Sequence, residues 1–162
     1  GSVLATGFAA IAAKHFEAAE IIEAHHEGKA DSPSGTAVRT AELMLAARNE
    51  LGPFSAPHVD QRARGQQVAS VPVHSLRLPG VVAKQDVVFG GVGETLTISH
   101  TTLSSSSYEA GIRLALRRAA AANGEVIVGL DAVLGIDVAL GLPGAAAPEP
   151  LPTRTADPEA DA

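Results

Sequence analysis

The stretch from Val71 to His100 constrains the fold more than any other part of the chain. It reads as three strands in succession. Val71 to Leu78 alternates Val71, Val73, Ser75 and Arg77 with Pro72, His74, Leu76 and Leu78. A period of two places these sets on opposite faces of an extended chain. Pro79-Gly80 turns the chain, and Val81 to Phe89 is the second strand. Gly90-Gly91-Val92-Gly93 reads as a hairpin loop, and Glu94 to His100 is the third strand. That strand puts Leu96, Ile98 and His100 on one face and Thr95, Thr97 and Ser99 on the other. The implied sheet is largely antiparallel, with one face open. Large exposed sheet faces tend to be covered, which points to a partner subunit.

Composition narrows what the sheet can serve. A chain of 162 residues is expected to form one domain with a sizeable core. Aromatic residues are only 3% and Trp is absent, so the core must come from Val, Leu, Ile and Ala. A stacking platform for single-stranded nucleic acid is not expected. The net charge of -6 also argues against nucleic acid, because phosphate neutralisation needs a basic surface. With no Cys, thiol nucleophiles, disulfides and Cys-zinc sites are excluded. The apolar run Val3 to Ala13 is too short for a bilayer and has no cationic region before it. No membrane association and a cytoplasmic location are therefore expected. A chain opening on Gly1-Ser2 without Met reads as part of something longer.

Around the sheet, Ser2 to Ala18 reads as a helix with Leu4, Phe8, Ile11, His15 and Ala19 on its stripe. His15 reads as a polar residue near the helix end. Ala19 to His25 is β-branched and reads as a strand. A helix follows from Pro33 to Asn49, with Ser32 as N-cap and Ala37, Ala41, Met44, Leu45 and Arg48 on one stripe. Met44 reads as core or rim. Phe54 to Ser70 has no period and reads as a long loop. Tyr108 to Ala122 is expected to be helical, with Tyr108, Gly111, Ile112, Ala115 and Ala119 inward, and Val126 to Leu130 to be a short strand. From Val138 the composition turns to Ala, Pro, Gly and acidic residues, so 138–162 is expected to be a disordered tail. Gly90 to Gly93 does not fit G-x-G-x-x-G and does not open a helix, so a turn is the expected role.

Chemistry concentrates between Glu20 and Ala37, which read E-I-I-E-A-H-H-E-G-K-A-D-S-P-S-G-T-A. Strand alternation sets Ile21, Glu23 and His25 on one face and Ile22, Ala24 and His26 on the other. The two histidines can serve one site only if the strand ends there, and Gly28 permits a bend. Ser34-Gly35-Thr36 at a helix start offers free N–H groups and a favourable dipole to a carboxylate or phosphate. Lys29 adds a positive charge, and histidines can donate protons near neutral pH. The combination suits a small anionic substrate that must be protonated. Two other readings stand beside it. One is a solvated connection whose polar residues only cap a helix. The other is a metal site of His25, His26 and Asp31, against which Lys29 would act by repulsion.

This stretch resembles the signature of the 4-hydroxy-tetrahydrodipicolinate reductase family, the dihydrodipicolinate reductases of bacterial and plant lysine biosynthesis. The resemblance continues through Arg64-Gly65, Val73-His74-Ser75-Leu76-Arg77-Leu78-Pro79-Gly80, Phe89, the run Gly93 to His100, and Tyr108 and Gly111. It covers nearly all of residues 1–137 and has an actinobacterial flavour. It implies an α+β fold with a mixed, largely antiparallel sheet of four to five strands, helices on one face and oligomerisation through the other. Residues 1–137 would be the C-terminal substrate-binding and tetramerisation domain, with the family's N-terminal Rossmann domain upstream of Gly1. That missing domain would bind NADH or NADPH, and the assembly would be a homotetramer.

The family's roles carry over as His25 for the general acid/base and Lys29 for a second proton donor. His26 and the amides of Gly35 and Thr36, with Ser34 beside them, would hold the carboxylates of a small dicarboxylate substrate. The implied reaction is loss of a 4-hydroxyl, then reduction of the conjugated ring imine, giving tetrahydrodipicolinate for diaminopimelate and lysine biosynthesis. Lys84-Gln85 stands where many members have a His nearby, and Ser104 to Ser107 where an Arg is usual. Alternatives are a non-catalytic oligomerisation module of the same fold and a metal-dependent hydrolase.

Overall fold

The computed structural model describes residues 1–136. Helix α1 (Ser2–Ala12) leads into strand β1 (Ala18–His25), and helix α2 (Gly35–Arg48) follows. Strands β2 (Gln66–Val68), β3 (Val71–Arg77), β4 (Ala83–Gly91) and β5 (Glu94–Thr102) come next. Helices α3 (Glu109–Ala121) and α4 (Leu130–Leu134) complete the described chain. The five strands form one sheet in the order β2-β3-β1-β4-β5. β1 runs parallel to β3 and antiparallel to β4, and the β2–β3 and β4–β5 pairs are antiparallel. The fold is therefore α+β with a mixed, mostly antiparallel sheet, as expected. A parallel pair needs a long crossover, and α2 with the segment after it supplies one.

α1 and α2 cover one face of the sheet. Ile21, Val73, Val87 and Phe89 point from the strands into a core closed by Ala9, Ala13, Ala37, Ala41 and Met44. Small residues let the helices approach closely, and Phe16 and Phe89 fill the end with rings 5.4 Å apart. Hydroxyls tie the layers together: Thr40 Oγ1 lies 2.9 Å from Thr6 Oγ1 and accepts from Gln85 Nε2 at 3.0 Å. The opposite face carries exposed Ile22, Leu76 and Leu78, and it is uncovered among the described residues.

Several boundaries differ from the sequence expectations. α1 ends at Ala12 rather than Ala18, because Ala18 and Ala19 pair with Gly90 and Phe89 of β4. Its buried side is Thr6, Gly7, Ala9, Ala10 and Ala12, while Leu4 and Phe8 are exposed. Close helix packing selected the alanine face over the larger apolar stripe. His15 lies exposed in the turn after the helix. α2 is capped by Ser34, whose Oγ accepts from the Ala37 amide at 3.3 Å, so Ser32 is not the cap. Met44 is fully buried and belongs to the core.

Residues 54–70 are not wholly a loop. Gln66–Val68 adds an edge strand to β3, and three residues are too few to show a period in sequence. The β4–β5 turn is shorter than Gly90 to Gly93, because β4 runs through Gly91. The strand expected at Val126 to Leu130 does not form. Those residues find no ladder partner among the described residues, and Leu130 opens α4. The inward stripe expected for the last long helix is also not buried: Tyr108, Ile112 and Ala119 are exposed, and Gly111 and Ala115 are only partly covered. The tail expected at 138–162 lies outside the described residues.

Arg48 fastens the end of α2 to the end of α1. Its Nη1 donates to Ala13 O at 2.8 Å and Phe16 O at 2.6 Å, and its Nε to Gly52 O at 2.7 Å. The guanidinium lies 4.1 Å from the centre of the Phe54 ring. Replacing Arg48 with Met should lower unfolding free energy by about 2–4 kcal/mol, since buried carbonyls lose a charged donor. Lys should rescue little of it, lacking the planar fork. Urea denaturation measures this, and a loss below about 0.5 kcal/mol, the scale of an ordinary surface change, would count against the role.

Candidate active site

The site forms where β1 and β3 end side by side. Their parallel register sets Glu23 opposite Ser75 and His25 opposite Arg77. Strand periodicity then places Glu23, His25 and Arg77 on the helix-covered face. Glu23 is completely buried, while the side chains of His25 and Arg77 are 16% and 19% exposed. Arg77 grips the Glu23 carboxylate with two nitrogens, at 2.9 and 3.0 Å. His25 Nδ1 lies 2.7 Å from Glu23 Oε2, and the Ser34 amide donates to Oε1 at 3.2 Å. Burial is the largest influence on the Glu23 carboxyl and opposes its ionisation. Hydrogen bonds from Arg77, Ser75 and His25 outweigh it and hold the group below its ordinary value.

Beyond His25 the chain turns sharply, with the Lys29 amide donating to His26 O at 3.1 Å. Lys29 Nζ lies 2.6 Å from Asp31 Oδ1. The Asp31 backbone carbonyl accepts from Arg77 at 2.7 Å, which returns this loop to the Glu23 cluster. The hydrogen bond from Lys29 is the main cause holding the Asp31 carboxyl below its usual range, and the Gly35 amide contributes. A carboxylate of the chain itself thus sits against the lysine and the helix start, the donors that suit a bound carboxylate.

The structure brings His25, Lys29 and Ser34 into one network through Glu23, Arg77 and Asp31. His26 is exposed and does not join it. Gly35 and Thr36 are exposed at the first turn of α2. They line a cleft of about 250 Å³ with Thr6, Arg39, Leu43 and Asp131. Among the described residues Arg39 Nη2 has no hydrogen-bond partner, and it lies 3.8 Å from Asp131. Gln85 is buried against Thr40. No group of three or more His, Asp or Glu side chains converges as a metal site among the described residues. Gly90 and Gly91 end a strand and open no helix, so no phosphate cradle of the strand-to-helix kind forms there.

Glu23 and Arg77 were not singled out from sequence. The signal was present in the E-x-H spacing, which puts both side chains on one strand face, but nothing local marks Arg77 as its partner. A second cluster lies on the open face. There Glu20 takes hydrogen bonds from Arg64 and from His74 Nε2, the latter at 2.7 Å.

The lowered Glu23 carboxyl gives a signed pH dependence. Its ionised form stabilises the fold fully above about pH 4.5, its ordinary value, and that contribution is lost as pH falls below this towards the folded-state value. Thermal unfolding between pH 7 and pH 3 should show this loss. Glu23→Gln, already destabilised at pH 7, should show a flatter profile, and an unchanged profile would contradict the account.

Comparisons with known proteins place the chain among named relatives. The family model described as dihydrodipicolinate reductase, C-terminus, matches residues 1–134. The 4-hydroxy-tetrahydrodipicolinate reductase of Clavibacter michiganensis is 68% identical over 137 residues, covering 85% of this chain and 49% of that protein. Its namesake from Thermobifida fusca is 49% identical over 139 residues, covering 83% and 56%. A solved dipicolinate-bound dihydrodipicolinate reductase from Paenisporosarcina sp. TG-14 matches with a TM-score of 0.63 and 38% identity, over 73% of this chain and 45% of that one. The chain thus spans about half the length of these relatives. The match over residues 1–134, with the identity to these relatives, places it in one family: the chain belongs to the dihydrodipicolinate reductase C-terminal domain family.

Proposed function

We propose that this chain is the substrate-binding half of a 4-hydroxy-tetrahydrodipicolinate reductase acting in diaminopimelate and lysine biosynthesis. One observation carries the reading: His25 and the start of α2 are joined through a single buried carboxylate, with Lys29 tied to the same cluster. That puts a proton donor beside groups suited to a carboxylate. The substrate class is a small cyclic dicarboxylate. The Gly35 and Thr36 amides, with Ser34 beside them and His26 at the rim, hold its carboxylates. Lys29 exchanges its contact with Asp31 for a contact with substrate. His25 or Lys29 delivers a proton where negative charge develops as the ring imine is reduced.

NADH or NADPH would supply the hydride. The described residues do not fit a dinucleotide phosphate cradle, so the cofactor is assigned to the remainder of the enzyme, consistent with relatives about twice as long. The location is cytoplasmic, where such biosynthesis runs. No helix among the described residues is long and apolar enough to cross a membrane. The open sheet face is covered by other copies in a homotetramer. Ile22, Leu76 and Leu78, each at least 40% exposed there, support this reading.

In the enzyme that includes these residues and its cofactor-binding part, His25→Gln should reduce kcat by about 10²- to 10⁴-fold, the range a positioned acid supplies. Lys29→Met should act in the same direction. Unchanged turnover in both would sink the reading. For assembly, Leu76→Glu should lower the mass measured by light scattering, because a charge cannot be buried unpaired at a sheet interface. Retention of the full mass would exclude this face.

A further inference from the structure

We infer that Glu23 is a positioning residue: it fixes which nitrogen of His25 carries the transferable proton and holds that ring in register with the amides of α2. The inference deepens the reading of His25 as a proton donor and rests on it.

An ionised carboxylate only accepts hydrogen bonds. Glu23 Oε2 accepts from His25 Nδ1 at 2.7 Å and from Arg77 Nη1 at 3.0 Å. Oε1 accepts from Arg77 Nη2 at 2.9 Å and from the Ser34 amide at 3.2 Å. These donors come from β1, β3 and the N-cap of α2, so one rigid group joins the three elements of the site. Because Nδ1 must donate, the hydrogen of neutral His25 resides there, and Nε2 is left to exchange a proton with substrate. Arg77 balances the charge of Glu23, so the ring gains an orienting acceptor without an uncompensated buried anion. Arg77 is itself pinned by the carbonyls of Leu76 and Asp31, both at 2.7 Å.

A Glu–Arg pair that served only the fold would need neither His25 nor Ser34. Buried ion pairs are weak devices for stability alone. Here the carboxylate is saturated by donors that the site itself contributes. Gln cannot replace it, since its amide NH₂ would face donors.

The test reads the His25 tautomer directly, by long-range proton–nitrogen NMR of the imidazoles at alkaline pH, where neutral rings predominate. The chain is expected to show His25 with its hydrogen on Nδ1, in about tenfold or greater excess. In folded Glu23→Gln the signal should move to a mixture or to the Nε2–H form. A wild-type ring with its hydrogen on Nε2 overturns the inference, whether or not the variant folds. So does a folded variant that keeps the Nδ1–H form. In the enzyme with its cofactor-binding part, Glu23→Gln should cut kcat on the order of a hundredfold. Glu23→Gln with His25→Gln should lose no more than His25→Gln alone. Multiplying losses would show a separate structural role and overturn the inference. Unchanged turnover in His25→Gln would instead overturn the proton-donor reading, a failure the tautomer measurement separates from its own.

Discussion

The two-pronged grip of Arg77 on Glu23 sets the geometry on which the rest of the site depends. It lies where the parallel pair β1 and β3 ends, so the register of the sheet and the position of the site are one fact. A carboxylate with no exposure is tolerable only when its lone pairs are all engaged. That demand recruits His25 from the same strand and the Ser34 amide from the next helix. The result is a histidine fixed relative to the start of α2, the geometry the proposed proton transfer needs. Pre-set geometry of this kind is what an acid needs in order to act.

The two sides of the sheet are chemically different, and the difference begins in the strands. Odd positions of β1 carry Ala19, Ile21, Glu23 and His25, which meet the helices and form core and site. Even positions carry Glu20, Ile22 and Ala24, which meet the uncovered side with Leu76 and His74. One strand therefore serves two purposes with a period of two. Glu20 repeats on the open face the pairing seen at Glu23, taking a histidine and an arginine together. It does so without a helix start beside it.

Much of this was legible in the sequence. Alternation from Val71 to His100 specified three strands and which residues shared a face. The stretch from Glu20 to Ala37 marked His25, Lys29 and a nearby helix start, although the cap is Ser34 rather than Ser32 and His26 stays outside the cluster. What was not legible depended on partners remote in the chain. Glu23 and Arg77 lie 54 positions apart, and only the crossover register brings them together. The buried face of α1 went against the larger apolar residues because alanines allow closer approach to α2. Val126 to Leu130 had strand composition but joins no ladder among the described residues, and the chain goes on into a helix. β2 was hidden because three residues are too short for a period to show.

The most direct measurement is an NMR titration of the isotopically labelled chain with dipicolinate, a rigid cyclic dicarboxylate. Shifts centred on the Gly35 and Thr36 amides and the His25 imidazole, with loss of the Lys29–Asp31 contact, are the result this account requires. Shifts confined to the open face around Glu20 and His74, or none at the start of α2, would contradict it.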